Sequence, residues 1–355
     1  MMPMRGKDAT TTTCLCAYGF RITVLAACLL LVSTTARSRQ RNDDSTRPFT
    51  FVELNCENLF DNSHDTLKQD TEWMSESPRH WTYKRYRQKL NNIGKEIIAC
   101  GENDGNWRLP DIVALCEVEN DSVLRDLTRR SLLRTSRYEY IVTESPDLRG
   151  IDVALLFSPS SFRLISHRSI RVKPLKNMRP TRDILYANGL IISGDTLHIF
   201  VVHAPSRYGG EHSTRPYRLQ VAKTLASAID SIYSISPDAA ILVAGDFNDY
   251  HDDPAPHLLY RHGLQNITAD AKGSNGALGT YKYKGEWRSI DHIMASPKMS
   301  RRVTRSYISD PMFLLEDDEK YGGKTPLRTY NGFKYKGGYS DHLPLVARFG
   351  LEVAE

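Results

Sequence analysis

Several signatures that would declare a function at once are missing from this chain of 355 residues. No CxxC pair and no cysteine/histidine spacing suited to zinc occurs, which removes thiol-redox and zinc-finger readings. The leading apolar run, Ile22 to Val32, falls well short of the ~20 residues that cross a bilayer, so a permanent membrane helix is not expected there. Neither sign of charge dominates: 47 Lys and Arg face 42 Asp and Glu, a net +5 that is modest for a uniformly basic nucleic-acid binder. Nor is there an internal repeat, or a Pro/Gly/Ser-rich break after residue 48 that would divide the chain again. What remains is an ordinary globular composition, 40% hydrophobic, with enough apolar residues for a sizeable core.

The first residues read as an address. Arg5, Lys7 and Arg21 precede the apolar stretch, and Thr34-Thr35-Ala36 supplies small residues for cleavage, so residues 1–36 are expected to be a signal peptide and the protein to be exported, periplasmic or secreted. Leu25-Ala26-Ala27-Cys28 offers an alternative, a lipoprotein-like box that would anchor the chain to a membrane through Cys28. Residues 37–48 are polar and aperiodic and are expected to form a flexible linker, leaving 49–355 as one catalytic domain. Setting the leader aside leaves three cysteines, Cys56, Cys100 and Cys116. Buried free thiols are the simpler expectation for an odd number, and a Cys56 to Cys116 bridge is the alternative.

From Phe49 onward, short β-favouring runs recur at 49–54, 112–116, 153–157, 185–192, 197–202, 241–244 and 290–295. Between them, Tyr83, Tyr86, Leu90, Ile93 and Ile97 follow helical spacing, which predicts a helix over 82–99 with Lys84, Arg85, Arg87, Lys89 and Lys95 mostly outside. Further helices are expected at 122–130 and 216–232, and loop insertions at 62–80 and 316–338. The interleaving argues for two packed layers of sheet covered by helices.

Polar signatures sit just beyond the apolar runs: Asn55-Cys56-Glu57-Asn58, Glu117, His203, Gly245-Asp246-Phe247-Asn248, Asp291-His292 and Ser340-Asp341-His342. A carboxylate at the end of a buried strand is costly unless paired or metal-bound, and hard divalent cations prefer such oxygens. Asp246 and Asn248, two apart, would share one face of an extended segment, although an Asx-turn explains the same string. Glu117 is a candidate Mg²⁺ ligand, with Asn55 and Glu57 spaced to help; the structural alternative makes Glu117 a helix-start acid beside the cap Asn120. A strand-end histidine such as His203 can move protons near neutral pH, and a carboxylate paired with His342 would fix its tautomer. Among Arg149, Arg179, Arg182, Arg207 and Arg215, the two flanking site segments, Arg149 and Arg207, are the expected phosphate contacts. Lysine and tyrosine alternate in Tyr281-Lys282-Tyr283-Lys284 and Phe333-Lys334-Tyr335-Lys336, as rim contacts to a polyanion or simply as hairpins with exposed lysines.

Taken in order, Asn-x-Glu-Asn, Glu, His-x-Pro-x-Arg, Gly-Asp-x-Asn, Asp-His and Ser-Asp-His-x-Pro resemble the endonuclease/exonuclease/phosphatase superfamily over about Phe51 to Phe349. The resemblance implies an α/β fold, a four-layered sandwich of two face-to-face mixed sheets with helices outside, as in deoxyribonuclease I. It implies Mg²⁺, with Mn²⁺ or Ca²⁺ as substitutes, held chiefly by Glu117 and assisted by Glu57, Asn55 and Asp341. Asp246 and Asn248 would orient the attacking water, and His342, supported by Asp291, would contact the scissile phosphate. His203 matches a second histidine of the deoxyribonuclease-like members, where abasic-site enzymes carry tyrosine. The expected activity is a Mg²⁺-dependent nuclease cleaving DNA or RNA, with nucleic acid as substrate and no stable protein partner. The alternatives are a phosphatase or phospholipase C-type enzyme acting on inositol phosphates or sphingomyelin, and a non-catalytic binding module, which the complete set of catalytic residues disfavours.

Overall fold

The computed structural model describes residues 46–354 except Asp104. The expected leader, Cys28, and residues 37–45 of the expected linker lie outside the described residues. The last three linker residues do not behave as a linker. Strand β1, Thr46–Leu59, already begins there, with Thr46, Arg47 and Pro48 opposite Glu352, Leu351 and Gly350. Pro48 is tolerated because the parallel partner on the other side of β1 starts only at Phe51, so the missing N–H interrupts no ladder on that side.

In chain order the main strands after β1 are β2 (Ile112–Val118), β3 (Glu139–Val142), β4 (Asp152–Phe157), β5 (Phe162–Ile170), β6 (Ile184–Ile191), β7 (Thr196–His203), β8 (Ala240–Asp246), β9 (Gln265–Asn266), β10 (Asp291–Ala295), β11 (Val303–Ile308) and β12 (Leu345–Glu352). They form two six-stranded mixed sheets, β11-β12-β1-β2-β4-β3 and β9-β10-β8-β7-β6-β5. Helices α1 (Tyr83–Ala99), α2 (Asp121–Arg130), α3 (Glu211–Tyr233) and α4 (Pro254–Arg261) cover them.

Strand alternation sorts the core into layers. Phe49 and Phe51 of β1, Ala114 and Cys116 of β2, Val201 of β7, Leu242 and Ala244 of β8 and Ile293 of β10 share one cluster between the sheets. The opposite parity of the first sheet, Val52, Leu54, Val113 and Leu115, packs on Leu90, Ile93 and Ile97 of α1 and Leu124 and Leu127 of α2. On the second sheet, Phe200, Val202, Ile241 and Val243 pack on Val221, Leu225 and Ile229 of α3 and Leu259 of α4. The result is a helix–sheet–sheet–helix sandwich, as the resemblance implies. Each fully buried core side chain of this size contributes about 1.5–3 kcal/mol relative to exposure.

Parity also settles the thiols. Asn55 is the register partner of Cys116, so Cys56, one residue on, points to the helix side while Cys116 faces the inter-sheet core. A Cys56 to Cys116 bridge is therefore ruled out, and all three cysteines are buried and free.

Two helices depart from expectation. Lys89 is not on the outer face of α1 but buried, donating to Thr329 Oγ1 at 2.7 Å, because it faces the segment carrying Thr329 and Tyr339 and lies 3.9 Å from the Glu57 carboxylate. Helix α3 starts five residues ahead of Pro216. Buried Arg218 braces that early turn by donating to the Glu211 carbonyl at 3.2 Å and Thr214 Oγ1 at 2.8 Å while pairing with Asp249. The main strands that sequence patterning passes over are the exposed, polar β5, the short β3 and β9, β11, and β12, whose run is broken by Arg348 and Gly350.

Candidate active site

The two sheets place their chemistry at one edge. β1 and β2 run parallel, as do β7 and β8, so four strands end together. β10 is antiparallel to β8 with Asp291 opposite Asp246, and β12 is antiparallel to β1, so Asp291 and the residues just ahead of β12 arrive at the same edge. Asn55, His203, Asp246 and Asp291 occupy the inward parity that holds Val201, Ala244 and Ile293 one step deeper and Phe51 two steps below Asn55. The inter-sheet core thus turns polar towards its rim.

A cleft of about 530 Å³ opens there, lined among others by Glu117, Arg149, His203, Arg207, Asp246, Asn248, Asp341 and His342. Ligand atoms of Asp246, Asp291 and His342 lie within 4.8 Å of one another. His342 Nδ1 meets Asp291 Oδ2 at 2.8 Å, and the same oxygen accepts from Thr280 Oγ1 at 2.5 Å. Asp291 and His342 thus form a hydrogen-bonded dyad, and Asp246 stands beside it. Burial alone would lower the His342 pKa, but Asp291, its hydrogen bond, Asp341 and Asp246 outweigh it and raise it well above the usual value. His203 goes the other way: burial, then Arg182, Arg149 and His342, hold it well below, so it is the neutral imidazole of the pair. Its Nε2 lies 3.6 Å from Asp246 Oδ2 and 3.8 Å from Glu117 Oε1. Two histidines pushed apart in this way suit a proton donor and a neutral partner.

Asp246 is oriented from both sides. Oδ2 accepts from Asn55 Nδ2 at 3.1 Å, and Oδ1 accepts the Asn248 N–H at 2.8 Å. The second bond is an Asx-turn, so the structural and chemical readings of this string hold together: Asn248 adopts φ +50° and still lines the cleft, its amide donating to the Ala204 carbonyl at 3.1 Å. Burial, then Asp291, raise the Asp246 pKa.

Glu117 also has a left-handed backbone, φ +59°, where the β1–β2 and β2–β4 registers break. Asn120, not Glu117, caps α2, accepting the Val123 N–H at 3.0 Å. Glu117 Oε2 accepts from the Asn58 N–H at 2.9 Å, whereas Oε1 accepts no hydrogen bond among the described residues and has Arg149 Nη2 at 3.7 Å. Such an oxygen in a cleft that Asp341 also lines is the donor chemistry a hard divalent cation takes. Asn55 lies beneath, 2% exposed, with its side-chain oxygen accepting the Glu57 N–H at 2.9 Å.

Glu57 does not join them. Its two oxygens accept from Arg328 Nε at 3.1 Å and the Thr329 N–H at 2.6 Å, so the carboxylate is held in a flanking ion-pair network and not presented to the cleft. Arg328 also bridges to Asp341 Oδ2 at 2.9 Å. Arg149 reaches Asn58 Oδ1 at 2.7 Å; Arg207 pairs with Asp253 at 2.9 Å and Glu211 at 3.1 Å and stacks 4.1 Å over Tyr250. Arg182 is structural, buried against Asp147 and the His203 and Ala204 carbonyls.

Sequence reasoning assigned no role to Ser340 or Glu53, and offered Tyr281 and Lys282 only as rim contacts or hairpin residues. Ser340 donates to the Asn55 carbonyl at 2.6 Å and accepts the His342 N–H at 3.1 Å, latching the end of β1 to the Ser-Asp-His turn. Tyr281 packs its ring 5.0 Å from that of His342. Glu53, one inward step below Asn55, is fully buried with neither oxygen hydrogen-bonded, and burial with Asp291 and Asp246 raises its pKa well above the usual carboxylate value. A carboxylate in an apolar strand was the available signal. Lys282 is held by Asp318 at 2.8 Å within the hairpin of Tyr281–Tyr283 and Glu286–Arg288, so this lysine is structural.

Residues 50–350 match the sequence profile of the Endonuclease/Exonuclease/phosphatase family. The chain belongs to the endonuclease/exonuclease/phosphatase family. It is therefore a hydrolase of phosphoester bonds, in a family that acts on nucleic acid or other phosphate substrates and generally depends on a divalent metal. Solved structures agree in fold. A family protein from Bacteroides thetaiotaomicron superposes with a TM-score of 0.57 at 15% identity, covering 86% of this chain and 98% of that one. A mannosyl-6-phosphatase from the same organism gives 0.55 at 15% identity, covering 84% and 98%. Truncated TDP2 from Caenorhabditis elegans gives 0.52 at 17% identity, covering 86% and 99%. No curated protein sequence matches the chain.

Proposed function

We propose that this endonuclease/exonuclease/phosphatase family member is an exported, Mg²⁺-dependent phosphodiesterase that cleaves nucleic acid by in-line attack of water. The observation that carries the reading is the grouping of Asp246, Asp291 and His342 within 4.8 Å beside Glu117 in one cleft. Asp246, fixed by Asn55 and Asn248, accepts the proton of the attacking water. His342, kept charged by Asp291, donates to the phosphoryl or leaving oxygen, and Asn248 helps hold the reacting group. His203 stays neutral between Asp246 and Glu117. Glu117 and Asp341, with the Asn55 oxygen beneath, would hold Mg²⁺, which when bound neutralises phosphoryl charge. Mn²⁺ or Ca²⁺ is the expected substitute.

The test is relaxation of supercoiled plasmid by the full chain in Mg²⁺ and in chelator, with Asp246→Ala and His342→Ala alongside. Metal-dependent nicking lost in both variants supports the reading. Failure of the folded wild type to cleave any DNA or RNA, together with turnover of sugar, inositol or sphingomyelin phosphoesters, would move it to the phosphatase or phospholipase class. The similarity to a structure described as a mannosyl-6-phosphatase makes phosphomonoesters the natural control. Export rests on residues 1–36 and is checked by locating the protein in fractionated cells.

A further inference from the structure

The cleft continues past its catalytic end. Arg149, Ser206 and Tyr208 also line a second chamber of about 600 Å³, within the roughly 300–1,000 Å³ typical of small-ligand sites. Apolar walls come from Leu148, Met178 and Pro180. Its charges are mostly neutralised: Arg182 pairs with Asp147 at 3.0 Å, and Arg149 faces Asn58 and Glu117. Arg179 differs, since it has no hydrogen-bond or ion-pair partner among the described residues. At the junction of the two chambers Tyr208 is 94% exposed, with neither its ring nor its hydroxyl partnered among the described residues. Gly209 and Gly210, at φ +88° and +115°, make the turn that carries it there, a path L side chains rarely take.

A free guanidinium and a bare aromatic face, each beside the catalytic cleft, match the two things a nucleotide presents: a phosphate and a base. We propose that the second chamber is a nucleotide subsite for single-stranded nucleic acid, in which Arg179 holds the phosphate next to the scissile one and Tyr208 stacks on the neighbouring base. The proposal rests on the phosphodiesterase reading above. It selects unpaired strands because a base inside a duplex already has both faces covered. A small aryl diester fills only the catalytic end and gains nothing from the chamber.

The experiment uses the full chain and compares kcat/KM for a single-stranded oligonucleotide of about twelve residues, its duplex, and bis(p-nitrophenyl) phosphate. In Tyr208→Ala and Arg179→Ala the ratio of oligonucleotide to small-diester kcat/KM is expected to fall roughly tenfold or more through KM, in line with ~1–3 kcal/mol per stacked base. Tyr208→Phe, which keeps the ring, should restore the ratio. Anisotropy of a labelled strand in chelator should show the same weakening without turnover. An unchanged ratio in both alanine variants, or preference for duplex, overturns the subsite while leaving the phosphodiesterase reading intact. Strand binding that the variants lose, in a wild type that hydrolyses no diester, supports the subsite and sinks the hydrolytic reading; neither binding nor hydrolysis overturns both.

Discussion

The end of β1 and the end of β8 are built alike and used differently. At each, an Asx-turn joins residues two apart, Asn55 to Glu57 at 2.9 Å and Asp246 to Asn248 at 2.8 Å, and the second residue is left-handed, φ +47° and +50°. Yet Asn248 lines the cleft, whereas Glu57 is drawn into Arg328, Thr329 and Lys89. The turn chemistry sets the backbone path, and the neighbouring layer decides which polar tip the substrate meets. At β8 the neighbour is the Ala204 carbonyl, which accepts the Asn248 amide and leaves its residue in the cleft. At β1 it is a cationic segment that captures the carboxylate.

The sharpest way to test that difference is to remove each acid. Asp246→Ala should lower kcat/KM on a phosphodiester about a hundred- to ten-thousand-fold with the fold intact by circular dichroism, as should His342→Ala. Glu117→Gln should raise the Mg²⁺ concentration for half-maximal activity more than about tenfold, since it removes a charged oxygen from the metal's first neighbours. If Glu57→Gln raised it as much, the contrast between the two strand ends would collapse. Asn248→Gly tolerates the left-handed backbone and deletes the amide that donates to the Ala204 carbonyl, so activity should fall roughly ten- to a hundredfold and Tm by a few degrees, in line with about 1–3 kcal/mol of lost hydrogen bonding.

For Glu57→Gln the effect should instead be on stability, a Tm several degrees lower, because Arg328 and Lys89 lose a buried anionic partner. The smallest effect is a pH slope. Near Glu57, Glu96 is buried without a hydrogen bond, and burial, opposed by Lys89, pushes its pKa up to about 8. The folded state therefore holds this proton more tightly than the unfolded one. Its contribution to stability is complete below the ordinary value of 4.5 and is lost as pH rises through about 8. Thermal melts in chelator should show Tm falling from pH 5 to pH 9, less steeply in Glu96→Gln; an identical slope would contradict the assignment.

By itself the sequence determined the layers and most of the chemistry. Alternating or continuous apolar runs ending in Asn55, Glu117, His203 and Asp246 mark strand ends, because a polar residue at the end of a buried run is tolerable only at a rim. The three-and-four spacing from Tyr83 to Ile97 likewise specified α1, since it leaves one apolar stripe to bury. Strands such as β5 were illegible because an exposed edge needs no apolar alternation. Tertiary structure alone decided that Glu57 turns from the cleft, that Lys89 is buried, that Cys56 and Cys116 face opposite sides of the sheet, and that Ser340 latches Asn55. Each depends on what lies across from a residue, tens to hundreds of positions away in the chain. Spacing records which face a side chain takes on its own element; only packing supplies the partner that receives it.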